Sequence, residues 1–226
     1  ISGLVSGSGG LSITSGTLSL NNTGNTFTGD LAVNGATSAL SIGASTATQP
    51  NQLGGAGANK RVTLTNGGIY RQTGAYNPNT NTVNWVIGTG GGTIDIVSGG
   101  TLNLDDNAGA TAQLQGSGKL TKTSPGNLVL SAGGGDFSGV GAFSGIIEVT
   151  GGQIQTDRDN RFGAIPGTPT PGMIILNGGN LQASASYTLS TNRGISVGAA
   201  AGSATGTIDV TGANTLTYNG AIADNG

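Results

Sequence analysis

Apolar and small polar residues alternate along this chain in short runs, and each run ends at a glycine or asparagine. Gly10-Leu11-Ser12-Ile13-Thr14 and Gly16-Thr17-Leu18-Ser19-Leu20 open the series. Lys60-Arg61-Val62-Thr63-Leu64-Thr65, Thr93-Ile94-Asp95-Ile96-Val97 and Thr101-Leu102-Asn103-Leu104 continue it. Later runs are Gly118-Lys119-Leu120-Thr121, Asn127-Leu128-Val129-Leu130, Gly145-Ile146-Ile147-Glu148-Val149, Met173-Ile174-Ile175-Leu176, Thr207-Ile208-Asp209-Val210 and Thr215-Leu216-Thr217-Tyr218. A period of two marks half-buried strands. The flanking Gly-Gly, Asn-Gly, Ser-Gly and Thr-Gly pairs mark turns, because these residues enter the left-handed backbone region most easily. No window keeps apolar residues at i, i+3, i+4 and i+7, so almost no helix is expected.

The strands recur in two units. Gly7-Ser8-Gly9-Gly10-Leu11 aligns with Gly116-Ser117-Gly118-Lys119-Leu120. Leu18-Ser19-Leu20 aligns with Leu128-Val129-Leu130, and Phe27-Thr28-Gly29 with Phe137-Ser138-Gly139. Asn51-Gln52-Leu53-Gly54 then meets Asn160-Arg161-Phe162-Gly163, and Leu64-Thr65-Asn66-Gly67-Gly68 meets Ile175-Leu176-Asn177-Gly178-Gly179. Gly92-Thr93-Ile94-Asp95-Ile96 meets Gly206-Thr207-Ile208-Asp209-Val210. Order and spacing hold across all six blocks, which divides the chain into residues 1–111 and 112–226, one continuous with the other. Ile222 falls where a wrap onto Ile1 would occur, which predicts a segment of a longer array.

Short strands in serial repeats fit a parallel β-helix, in which each coil pairs its backbone with the coils above and below. The fold expected is all-β, a right-handed parallel β-helix (β-solenoid) of roughly ten coils, about 50 Å long at about 4.8 Å per coil. A β-sandwich is the alternative. The inward ladder is expected to contain Leu11, Leu18, Leu20, Leu64, Ile94, Ile96, Leu120, Leu128, Leu130, Ile175, Ile208 and Val210.

Composition narrows the function. Of 226 residues 45 are Gly, only 8% are charged, and neither Cys nor His occurs. Thiol nucleophiles, Ser-His-Asp triads, imidazole or thiolate metal sites and disulfides are thereby excluded. The net charge of −2, with no basic cluster beyond Lys60-Arg61, argues against nucleic acid as a partner. No apolar run approaches the roughly 18 residues of a membrane span.

Five segments carry candidate chemistry. Asp157-Arg158-Asp159-Asn160-Arg161 could offer carboxylate oxygens to calcium or a sugar, against the plainer reading of a solvated loop with internal Asp–Arg pairs. The adjacent Asp105-Asp106 would point to opposite faces of a strand and make a poor acid–base pair. Gly133-Gly134-Gly135-Asp136 has the form of half a calcium-binding repeat, but it occurs once. Gly88-Thr89-Gly90-Gly91-Gly92-Thr93 lacks the helix that a phosphate cradle needs and reads as a coil corner. Tyr70, Arg71, Tyr76 and Trp85 concentrate aromatics within sixteen residues and could contact a glycan, or pack over the coil. With the few acids so dispersed, no catalysis and no cofactor are expected.

The order Gly9-Gly10-Leu11, Gly16-Thr17-Leu18-Ser19-Leu20, Asn25-Thr26-Phe27-Thr28-Gly29 and Leu31-Ala32-Val33 resembles the autotransporter-associated β-strand repeat of type V secreted passenger domains. Leu128-Val129-Leu130, Phe137-Ser138-Gly139 and Ile147-Glu148-Val149 repeat it in the second unit. The resemblance implies a right-handed parallel β-helix, secreted or held at a bacterial cell surface, acting as a stalk, adhesin shaft or fibre. The segment 70–86 departs from it by its aromatic content. Two functions are expected from this reading. One is a structural section of an extracellular rod that stacks on adjacent copies of the same repeat. The alternative is an adhesin module that binds glycans or a host surface through residues 70–86.

Overall fold

The computed structural model of the protein describes residues 1–43, 51–55, 60–74, 83–104, 114–130 and 142–226. Among the described residues the paired strands all run parallel, as a sandwich of hairpins would not, and the single antiparallel contact is the isolated bridge Gln115–Ala142. A long sheet stacks nine strands, from Gly16–Leu20 at one end to Ile222–Asp224 at the other. Two five-stranded sheets flank it. One runs from Leu11–Ile13 to Leu114–Gln115, and the other from Thr101–Asn103 to Thr207–Val210. A two-stranded sheet joins Tyr187–Leu189 to Leu216–Tyr218. Among the described residues the one helical element is a 3-10 turn, Asp159–Phe162.

The chain is therefore a parallel β-solenoid, but its described residues do not confirm the expected ten coils. Nine rungs of the long sheet span about 38 Å at about 4.8 Å per step. The step between stacked residues is also less even than a constant 22-residue coil would give. It is 20 residues from Leu11 to Leu31 and 31 from Leu31 to Val62. The ladder stays in register because loops at the corners absorb the difference. Between Thr170 and Ile174 the ladder itself slips, at a bulge.

The interior is a set of apolar columns. Leu31, Val62, Trp85 and Leu114 form one, and Leu102, Leu128, Ile154 and Leu181 another. Leu20, Leu64, Ile94, Ile96, Leu120, Leu128 and Leu130 are fully buried, while Leu11 and Leu18 are half-buried against the same core. Ile175 is a correction. Ile174 and Leu176 face inward, so alternation turns Ile175 outward beside Glu148 and Ser196. Ile208 and Val210 hold the ladder register of Leu181 and Ala183, yet they lie on the last rung of their sheet and no further strand covers them. Ile208 is 39% exposed.

The aligned blocks of the two units do not occupy the same faces. Leu11–Ile13 lies in the first flanking sheet, whereas its counterpart Leu120–Thr123 lies in the long sheet. Gly16–Leu20 lies in the long sheet, and Asn127–Leu130 in the second flanking sheet. The second copy thus enters the solenoid one face later. The long sheet passes from one unit to the next without a break, through the pairing of Thr93 with Thr121.

Close stacking explains one column of glycines. A Cβ on Gly118 would overlap the carbonyl oxygen of Gly88, and one on Gly145 would overlap that of Gly118. Backbone approach at a coil corner, rather than an unusual φ, sets the requirement. Gly118→Ala is expected to lower stability by about 1–3 kcal/mol, since the clash is with backbone and cannot relax by a rotamer change. Chemical denaturation of the variant checks this, and an unchanged midpoint would contradict it.

Candidate functional site

Tyr70 and Trp85 do not form a surface. Tyr70 occupies the inward column between Leu40 and Ile94, and Trp85 the column between Val62 and Leu114. Both are 0% exposed, and their rings meet edge to face at 4.7 Å across the core. Burial of apolar area accounts for this placement, and neither ring can stack on a glycan in the folded chain. Arg71 faces outward but pairs with Asp95 one rung away, at 2.8 Å. Tyr76, Asp105-Asp106 and Gly133–Asp136 lie outside the described residues.

The charged segment 157–161 turns inward. Arg161 is fully buried, and its Nε donates to Asp157 Oδ1 at 2.9 Å, while Arg158 lies 3.3 Å from the other Asp157 oxygen. Asp159 accepts from Arg193 Nε at 2.9 Å and from the Ser190 amide at 3.1 Å. Arg193 then donates to the carbonyls of Gly163 (2.6 Å) and Ala164 (3.1 Å). The expected Asp–Arg pairing is present, but two of the three guanidinium groups are buried rather than solvated. The calcium reading fails on this geometry, because arginines occupy both oxygens of Asp157. Among the described residues, no three His, Cys, Asp or Glu side chains come together as a metal site. Tyr187 has its hydroxyl buried here without a partner, and burial, with Asp159 and Asp157 nearby, raises its pKa.

Gly90 and Gly91, in the loop weighed as a phosphate cradle, take φ of 75° and 74° and turn a corner before the strand Gly92–Ile96.

Two lysines lie inside the solenoid. Lys60 Nζ donates to the Phe27 carbonyl at 3.0 Å and sits 3.7 Å from the centre of the Phe27 ring. Lys122 occupies the column between Ile94 and Val149, and its ammonium donates to the carbonyls of Ser124 (2.7 Å) and Gly151 (3.3 Å). Burial lowers both pKa values to about 8, only partly offset by Asp30 for Lys60 and Asp95 for Lys122. Between about 8 and the ordinary value of 10.5, the unfolded chain binds protons that the folded chain has released. Stability is therefore expected to rise over that pH window. Calorimetric melting at pH values within it should show a rising midpoint, and a Lys60→Met, Lys122→Met double variant should show a flatter one.

The ordered polar surface lies elsewhere, on the outer face of the second flanking sheet. Thr101, Asn127, Gln153, Asn180 and Thr207 stack in register as one row, and Asn103, Val129, Gln155, Gln182 and Asp209 as a second, polar except at Val129. Asn180 Nδ2 donates to Gln153 Oε1 (3.0 Å), Gln153 Nε2 to Gln182 Oε1 (2.8 Å), and Gln182 Nε2 to Asp209 Oδ2 (2.7 Å). On the neighbouring long sheet, Glu148 accepts from Lys119 (2.7 Å) and Asn177 (3.0 Å). Burial pushes the Glu148 pKa up, but these two hydrogen bonds and the Lys119 charge outweigh it and hold the group below its ordinary value. The amide rows carry no charge cluster or aromatic run to mark them in the sequence. Their signal is a spacing of 27 residues, from Gln153 to Asn180 to Thr207 and from Gln155 to Gln182 to Asp209.

The chain is 30% identical over 159 residues to the Adhesin BmaC autotransporter of Brucella suis biovar 1 (strain 1330). That match covers 70% of this chain and 4% of the relative, so the chain spans only a small part of that protein's length. No family model matches the chain. No solved structure matches it. Sequence and fold together make the chain an autotransporter-passenger-like β-solenoid. No helix among the described residues is long and apolar enough to cross a membrane.

Proposed function

We propose that this chain is a non-catalytic section of a rod secreted or displayed at a bacterial cell surface, built from stacked β-helix coils. The observation that carries the reading is the nine-stranded parallel ladder, with one apolar core running through both sequence units. Each coil buries its apolar face on its neighbours, so length is added by repeating coils without redesigning a core. The clustered charges serve this scaffold, because the arginines at 161 and 193 are held inside by ion pairs and carbonyls. Similarity to an autotransporter adhesin supports surface display. Stacking on adjacent copies of the repeat belongs to the same proposal.

Antibody labelling of intact cells tests the location. Signal without permeabilisation is expected, and signal only after it would overturn surface display. Electron microscopy of the full-length product tests the rod, where elongated particles are expected and compact globules would defeat it. The adhesive reading is kept as the second one, on the strength of the relative's name. It has to use a surface other than Tyr70 and Trp85.

A further inference from the structure

The outer amide face has a geometry that its own structural role does not exhaust. Members of each row repeat about every 4.8 Å along the solenoid axis, and the two rows stand two residues apart on each strand, about 7 Å. Asp209 carries the one formal charge in the rows. Every carboxamide has two donor hydrogens and an oxygen with two lone pairs. The bonds from Asn180 to Gln153, Gln153 to Gln182 and Gln182 to Asp209 consume one hydrogen from each donor and one lone pair from each acceptor. Gln153 and Gln182 are each left able both to donate and to accept. Asn180 Oδ1, in the middle of the first row, has no partner but is buried out of a ligand's reach, so Asn180 offers the face only its remaining donor hydrogen.

We infer that this face binds an uncharged linear polysaccharide laid along the solenoid axis, one sugar to each coil. The chemistry selects among partners. A polyanion would need Lys or Arg in the rows, and they hold none. A polycation would find only Asp209. An extended peptide satisfies its backbone at a sheet edge, whereas these rows stand on a sheet face. Sugar hydroxyls donate and accept at the same atom, as the residual capacity of the amides requires. The rung spacing is close to the rise per sugar of an extended glycan. The first row runs over five rungs, from Thr101 to Thr207, and sets the length of the track, while the second is interrupted by Val129 between Asn103 and Gln155. The inference rests on surface display, which brings the face into contact with extracellular polysaccharide.

Calorimetric titration of the full chain with neutral β-1,4-glucose, α-1,4-glucose and β-1,4-mannose oligomers, from the disaccharide to the hexasaccharide, tests it. At least one series is expected to bind, with affinity rising by about tenfold or more towards the tetra- or pentasaccharide and then levelling. An oligogalacturonate hexamer, being anionic, is expected to bind more weakly. A Gln155→Thr, Gln182→Thr double variant should lose about tenfold in affinity while its melting midpoint moves little, because Thr suits a strand. Absence of binding in all three neutral series would overturn the inference. So would affinity independent of length, or binding unchanged in a folded double variant. Surface labelling that fails while the titration succeeds would defeat display and leave the binding face standing.

Discussion

Arg193→Met is expected to destabilise the solenoid by about 3–5 kcal/mol, the loss usual when one partner of a buried ion pair is removed. Arg193 is 1% exposed and lies between the 3-10 turn and the long sheet. Its guanidinium satisfies Asp159 at 2.9 Å and the carbonyls of Gly163 and Ala164 at 2.6 and 3.1 Å. Methionine preserves much of the volume but strands one carboxylate and two carbonyls together. Burial lowers the Arg193 pKa, with Asp159 opposing the shift, yet an arginine so placed stays charged at neutral pH. Urea unfolding should show a lower midpoint with an unchanged slope. Asp159→Asn in the same background should recover part of the loss, because it removes the unpaired charge. A midpoint shift worth less than about 1 kcal/mol would mean that the turn is held by its backbone alone.

Trp85→Ala should cost a similar amount, about 3–5 kcal/mol, by a different route. The indole fills its column between Val62 and Leu114, and its edge-to-face contact with Tyr70 links two facing sheets. Alanine leaves a cavity that a β-ladder fixed at constant spacing cannot close. The indole Nε1 is buried with no hydrogen-bond partner, so Trp85→Phe should cost much less than Trp85→Ala. Thermal melting of both variants checks the order. Equal losses would show that the indole N–H contributes through a partner of its own. Within the columns, Trp85 and Lys122 make opposite demands, one apolar and one charged. Lys122 is tolerated because corner carbonyls surround its ammonium.

Strand content, the near absence of helix and the apolar runs were legible from the order of residues, because alternation and turn chemistry are local. Leu20, Leu64 and Ile94 illustrate this, each sitting inside as its run requires. Ile175 was misassigned for a local reason. In the apolar run Met173–Leu176 either phase of alternation is available, and only pairing with Glu148 and Ser196 shows which is used. The role of the aromatic cluster, a glycan contact or packing over the coil, stayed open for a non-local reason. Tyr70 and Trp85 are fifteen positions apart and belong to different sheets, so their meeting in the core depends on how the coil closes.

Composition and a two-residue period, both properties of the chain alone, already make this protein a repetitive all-β chain with little clustered chemistry. The tertiary structure decided which residues stack. Coil length varies from 20 to 31 residues, so vertical neighbours cannot be counted off at a constant interval. That is why Tyr70 and Trp85, open in sequence to either a surface or a packing role, are core, why paired arginines are buried, and why scattered polar residues form two rows on one face. Each outcome follows from backbone pairing between coils, a contact made across sequence distance, and it is the pairing that gives the repeated chain its surface.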